Sequence, residues 1–135
     1  MSLITWSDAL SVGNAEIDAQ HQKLVQLING LHSHMIAGDA HEVMGKVLDR
    51  MIEYTAFHFG TEEKLMAQSG YPASAVHIAE HRKLVAKALD LQARFKSGKT
   101  ALTMETMAFL RDWLQHHIAE SDHALGAYLA KKAAA

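Results

Sequence analysis

The 135-residue chain has no cysteine and a single proline. Without Cys, disulfides, thiolate-held zinc and cysteine nucleophiles are excluded. The one proline, in Ser69-Gly70-Tyr71-Pro72, marks a turn and leaves the rest of the chain free of that helix breaker. A charge excess is missing too. Thirteen Lys and Arg face 15 Asp and Glu, for a formal net charge of −2, which argues against nucleic-acid or membrane-surface binding, since both need a basic field. No apolar run is long enough to span a bilayer. Met1-Ser2-Leu3-Ile4-Thr5-Trp6-Ser7-Asp8 has neither the basic segment nor the continuous apolar core of a signal peptide, so the expected location is the cytoplasm.

What is abundant is apolar surface and histidine. Hydrophobic residues make up 49% of the chain, enough for one domain over residues 1–135 with a real core, expected to be a monomer. Residues 1–16, with Trp6, Ser7, Val12, Gly13 and Asn14, lack helical periodicity and read as an ordered arm. Apolar positions then recur at helical spacing over about 17–37, 41–67, 74–96 and 102–130, with Gly38-Asp39, Gly70 and Ser97-Gly98-Lys99 as stops and Ser74 as a cap. Four helices with short connections predict an all-α, up-down-up-down antiparallel four-helix bundle, with 131–135 as a frayed end.

Ten histidines are more than surface decoration requires. His58 and Glu62 lie about one turn apart on the second helix, on the face that carries Met44, Val47, Leu48, Met51 and Thr55. A lone buried histidine is ordinary, but burying an unpaired carboxylate costs several kcal/mol unless a cation or a metal accompanies it. His21 falls near the start of the first helix and His77 and His81 near the start of the third. In an antiparallel bundle those positions and the end of the second helix share one layer. Four imidazoles and a carboxylate from three helices point to a shared metal site.

The fourth helix offers two sets. His116, Glu120 and His123 point more than about 120° away from the Leu110/Leu114/Ile118/Leu125 face and are expected to be solvated. His117 and Asp122 flank that face, but a spacing of five residues separates them by about 140° on a regular helix. Either they reach inward from the two edges or a π-bulge brings them together. His32, about three turns from His21, is too far to share its metal; His34 faces outward and His41 starts a helix. Around two six-coordinate metals, five imidazoles, two bridging carboxylates and a bridging oxide or hydroxide leave one position open. Imidazole with carboxylate suits iron, and zinc or manganese fit the same donors. So few anionic ligands stabilise high-valent iron less than the Glu-rich di-iron bundles do, which favours taking up a ligand over cleaving O–O bonds.

The segments Trp6-Ser7, Ser11-Val12-Gly13, Ile17-Asp18-x-Gln20-His21, Tyr54-Thr55-x-x-His58-Phe59-x-x-Glu62-Glu63-x-x-Met66, His77-x-x-x-His81 and Trp113-Leu114-x-x-His117-Ile118-x-x-x-Asp122 together resemble the hemerythrin family, and more closely its single-domain bacterial branch, the bacteriohemerythrins. The resemblance covers almost the whole chain. It implies two iron ions, one held by His77, His81 and His117 and the other by His21 and His58, bridged by Glu62, Asp122 and an oxide or hydroxide. It also implies O2 binding at the open position of the two-histidine iron, in a pocket walled by Leu24, Phe59, Trp113, Leu114 and Ile118. Carriage, storage or local delivery of O2 is then the expected role rather than an enzymatic one, with an O2-consuming or signalling protein as the possible partner. An O2- or redox-sensing module, or a di-iron enzyme acting on peroxide or nitric oxide, are the alternatives. Ser121 departs from the pattern: an inward hydroxyl beside a bridging ligand is either harmless or a route for water that hastens autoxidation.

Overall fold

The computed structural model describes residues 3–99 and 102–134. Helix α1 spans Ala15–Ala37, α2 His41–Ser69, α3 Ser74–Lys96, α4 Met104–His117 and α5 His123–Ala134. Between α4 and α5, Ile118–Asp122 is π-helical, so the last three elements form one rod. The four rods make an all-helical up-down-up-down bundle, with no strand among the described residues. No helix among them is long and apolar enough to cross a membrane.

Local chemistry sets the helix ends. Asn14 caps α1 by accepting from the Ile17 amide at 3.1 Å, and α1 starts at Ala15, two residues before the expected position. Gly38 at φ 70° and Gly70 at φ 66° close α1 and α2 in the left-handed conformation that glycine adopts without a Cβ penalty. Ser74 is the first residue of α3 rather than its cap, and its hydroxyl donates back to the Tyr71 carbonyl at 2.6 Å. Thr103 caps α4 by accepting from the Thr106 amide at 3.3 Å, which leaves Leu102 outside the helix. At the far end α5 runs through Lys131 and Lys132 to Ala134 instead of fraying; Ala135 lies outside the described residues, as do Met1 and Ser2 of the arm.

The rest of the arm is held at both ends. The Ile4 amide donates to Asn29 Oδ1 at 2.9 Å, and Asn29 Nδ2 donates to the Ile4 carbonyl at 2.8 Å. Ser11 Oγ and the Val12 amide donate to the two oxygens of Asp18 at 2.6 and 2.8 Å. Between them Asp8–Leu10 forms a 3-10 turn. Val12 lies so close to α5 that a Cβ on Gly126 would sit 2.0 Å from its carbonyl oxygen, so the arm can seat there only against glycine. Beneath, Ile17, Leu31, Leu48, Met107 and Leu125 are fully buried, each contributing about 2 kcal/mol of apolar transfer. That apolar core fills most of the bundle, and apart from His32 the buried polar groups gather in one layer.

Candidate metal centre

That layer holds His21, His58, Glu62, His77, His81, His117 and Asp122, all buried, with Glu62 and Asp122 at 0% exposure. Each carboxylate turns its two oxygens in different directions. Glu62 Oε2 faces His21 Nε2 at 3.5 Å and His58 Nε2 at 3.3 Å, while Oε1 faces His77 Nε2 at 3.4 Å and His81 Nε2 at 3.0 Å. Asp122 Oδ2 faces His21 Nε2 at 2.9 Å, and Oδ1 faces His77 Nε2 at 2.9 Å and His117 Nε2 at 3.2 Å. Two donor sets result: Glu62, His77, His81, His117 and Asp122 in one, His21, His58, Glu62 and Asp122 in the other. Within each, one ligand atom per residue lies within 4.8 Å of all the rest.

The π-helical turn is what completes both sets. On a regular helix His117 and Asp122 would diverge; the extra residue of the π segment, Ile118–Asp122, turns both side chains into the same layer. Of the two geometries open to this pair, the π-bulge is the one adopted. His116 and Glu120 pair with each other outside, their side chains 73% and 68% exposed, and His123 is exposed as well. Of the other histidines, His34 bonds Asp39 in the half-exposed surface and His41 packs its ring against Phe95. His32 is buried in α1, and among the described residues neither of its ring nitrogens has a partner.

The donors fit metal ions. Although many of these contacts are near 3 Å, they lack the alignment of hydrogen bonds: both nitrogens of His21, Nε2 of His77, His81 and His117, and all four carboxylate oxygens are buried without a hydrogen-bond partner among the described residues. So many converging, unsatisfied lone pairs would cost several kcal/mol unless a cation stood among them. Burial by itself would lower the His21 and His77 pKa, but the adjacent Asp122 and Glu62 carboxylates outweigh it and push both up to about 9. Burial acts in the opposite sense on the acids, yet the surrounding imidazoles hold Glu62 and Asp122 well below the usual carboxylate range. Without metal, His21 and His77 are the imidazoles that the two carboxylates favour as cations.

Three residues behind the imidazoles orient them. Gln20 Oε1 lies 2.7 Å from His58 Nδ1, and Gln20 Nε2 donates to Thr61 Oγ1 at 3.2 Å. Glu63 Oε2 lies 3.0 Å from His81 Nδ1, and Glu80 Oε2 lies 3.0 Å from His117 Nδ1. An acceptor at Nδ1 places the proton there and leaves Nε2 free to ligate. Gln20 and Glu63 fall within the segments that resemble the family, but their role is invisible in sequence, because what they touch depends on helix packing. Glu80 carries no sequence signal beyond its position one turn after His77. Ser121 also differs from its expected orientation: its hydroxyl donates to Glu80 Oε2 at 2.6 Å, away from the site interior.

Next to the layer is a small apolar cavity of about 30 Å³, lined by Leu24, Ile28, Met51, Thr55, Phe59, Leu84, Ala88, Leu110, Trp113 and Leu114. Leu24, Phe59, Trp113 and Leu114, named above, are among its lining residues. Ile118 is not; it is buried in the adjoining core. Two of the lining rings stack on imidazoles of the layer, Phe59 on His81 at 3.8 Å and Trp113 on His117 at 4.6 Å between centroids. The cavity thus abuts the backs of the donor rings, with no titratable side chain in its wall.

Comparisons agree with this arrangement. A family model described as the hemerythrin HHE cation binding domain matches residues 12–129. A bacteriohemerythrin of Methylococcus capsulatus is 40% identical over 129 residues, covering 93% of this chain and 96% of its own length. One of Stenotrophomonas maltophilia is 34% identical over 124 residues, covering 92% and 80%. A crystal structure of wild-type hemerythrin superposes with a TM-score of 0.90 at 37% identity, covering 95% of this chain and 98% of that one.

Proposed function

The chain belongs to the hemerythrin HHE family, and on that premise we propose that it binds O2 reversibly at a non-haem di-iron centre, as a carrier, store or local donor of O2. In this reading His77, His81 and His117 hold one iron, His21 and His58 the other, and Glu62 and Asp122 serve both. The observation that carries it is the splitting of the two carboxylates, each offering one oxygen to either histidine set, beside an apolar cavity. When bound, a pair of irons supplies the redox change on which reversible O2 uptake depends.

The protein's own groups set the conditions for that uptake. Gln20, Glu63 and Glu80 fix three imidazoles with Nε2 inward, so the donors are in place before a metal arrives. Leu24, Phe59, Trp113 and Leu114 exclude water and offer no proton donor, which favours release of the ligand unchanged. Turnover of peroxide or nitric oxide would be served by an acid or base near the ligand, and the cavity wall supplies none. The test is a visible spectrum of the reduced, iron-loaded protein before air, after air and after oxygen removal. A charge-transfer band that appears and then disappears is expected; irreversible oxidation within seconds would overturn carriage in favour of sensing or catalysis.

A further inference from the structure

One oxygen behind the three-histidine set has two partners. Glu80 Oε2, on α3, accepts from Ser121 Oγ at 2.6 Å and lies 3.0 Å from His117 Nδ1. Both donors come from the last rod, four residues apart, His117 just before the π-helical segment and Ser121 within it. The Glu80 side chain is 40% exposed, so by itself it would exchange among rotamers and between His117 and water. The Ser121 hydroxyl removes that freedom. Glu63, the equivalent carboxylate behind His81, is 36% exposed, and among the described residues no other side chain bonds it.

We propose that Ser121 is a positioning residue: by seating Glu80 it fixes the tautomer and ring plane of His117, and so slows metal loss from the three-histidine side. This rests on the reading of His117 as a ligand. The geometry gives Ser121 two simultaneous effects, since it also ties the residue before Asp122 to α3. A hydroxyl whose only task was to fill surface space would act independently of Glu80; here it acts through it.

The experiment loads the apo protein with Co2+, whose visible spectrum reports its ligands, and follows release to excess chelator. Wild-type protein is expected to bind two equivalents and release them in two phases, the slower assigned by its loss in His117→Ala. Ser121→Ala should keep the stoichiometry while accelerating the slower phase about 3- to 10-fold. Ser121→Thr should restore it. Glu80→Gln should accelerate it about 10- to 100-fold, the usual range for removing a partner behind a ligand. The double variant Ser121→Ala/Glu80→Gln should release no faster than Glu80→Gln alone. Unchanged release in Ser121→Ala, or multiplicative effects in the double variant, would overturn the proposal with the metal centre intact. Absence of cobalt binding in the wild-type protein would remove the metal centre itself, and this inference with it.

Discussion

The two halves of the buried layer share both carboxylates but differ in what stands behind their imidazoles. His81 and His117 are backed by the carboxylates of Glu63 and Glu80. His58 is backed by the neutral amide of Gln20, and His21 Nδ1 has no partner among the described residues. A carboxylate acceptor makes an imidazole a more basic donor, whereas an amide orients it without adding charge. The difference teaches that one bundle layer can build two unequal sites from the same residue types. On the proposed reading the three-histidine half would retain its metal more tightly, because the two-histidine half has fewer donors and weaker support behind them.

The largest test removes what the halves have in common. Glu62→Ala takes an oxygen from both sets at once, and metal analysis is expected to fall from two equivalents to near none. Next in size is a change confined to one half. Glu63→Gln should weaken metal retention on the three-histidine side about 10- to 100-fold. Gln20→Glu should do the reverse for the two-histidine side, narrowing the gap between the two release phases; a gap that stays unchanged in both variants would break the comparison.

Proton release supplies a third test. His21 and His77, raised to about 9 in the metal-free protein, are charged at pH 7 and must lose their protons to ligate. Calorimetric titration in two buffers of different ionisation heat should show release of roughly two protons and an affinity that rises with pH. The same shifts set apo stability. The raised histidines contribute fully below their ordinary value of 6.5, and the contribution is lost as pH climbs through about 9. The depressed acids contribute above the ordinary carboxylate range and lose that contribution as pH falls. The apo melting temperature should therefore peak in mildly acidic buffer, between the carboxylate range and pH 6.5. The smallest expected effect is on the solvent face: His116→Ala and His123→Ala should leave both metals bound, and loss of either would refute the separation of inner from outer histidines.

Much of this layout was legible in sequence. The 3.6-residue period of Ile17, Leu24, Val25, Ile28 and Leu31 identifies the buried face of α1 and puts His21 on it without knowledge of any neighbour. The same reasoning places His58 and Glu62 on the inner face of α2 and sends His116 outward. Antiparallel topology then follows from short connections, and with it the common layer. Helix ends were less legible: Thr103 and Asn14 decide them by single hydrogen bonds, and Ser74, which looks like a cap, bonds Tyr71 instead.

What only the tertiary structure decided concerns directions rather than faces. A period argument assumes a regular helix, so the choice between edge-reaching side chains and a π-helical turn at Ile118–Asp122 lay beyond it. The partners behind the imidazoles, Gln20, Glu63 and Glu80, and the turning of Ser121 toward Glu80, each depend on a neighbouring element or an irregular turn. So does the seat of Val12 against Gly126, made by a contact across more than a hundred residues of chain. Periodicity is a local property of the backbone and survives in the sequence. The position of one side-chain oxygen against one ring nitrogen is a property of packed helices, and is set only when they meet.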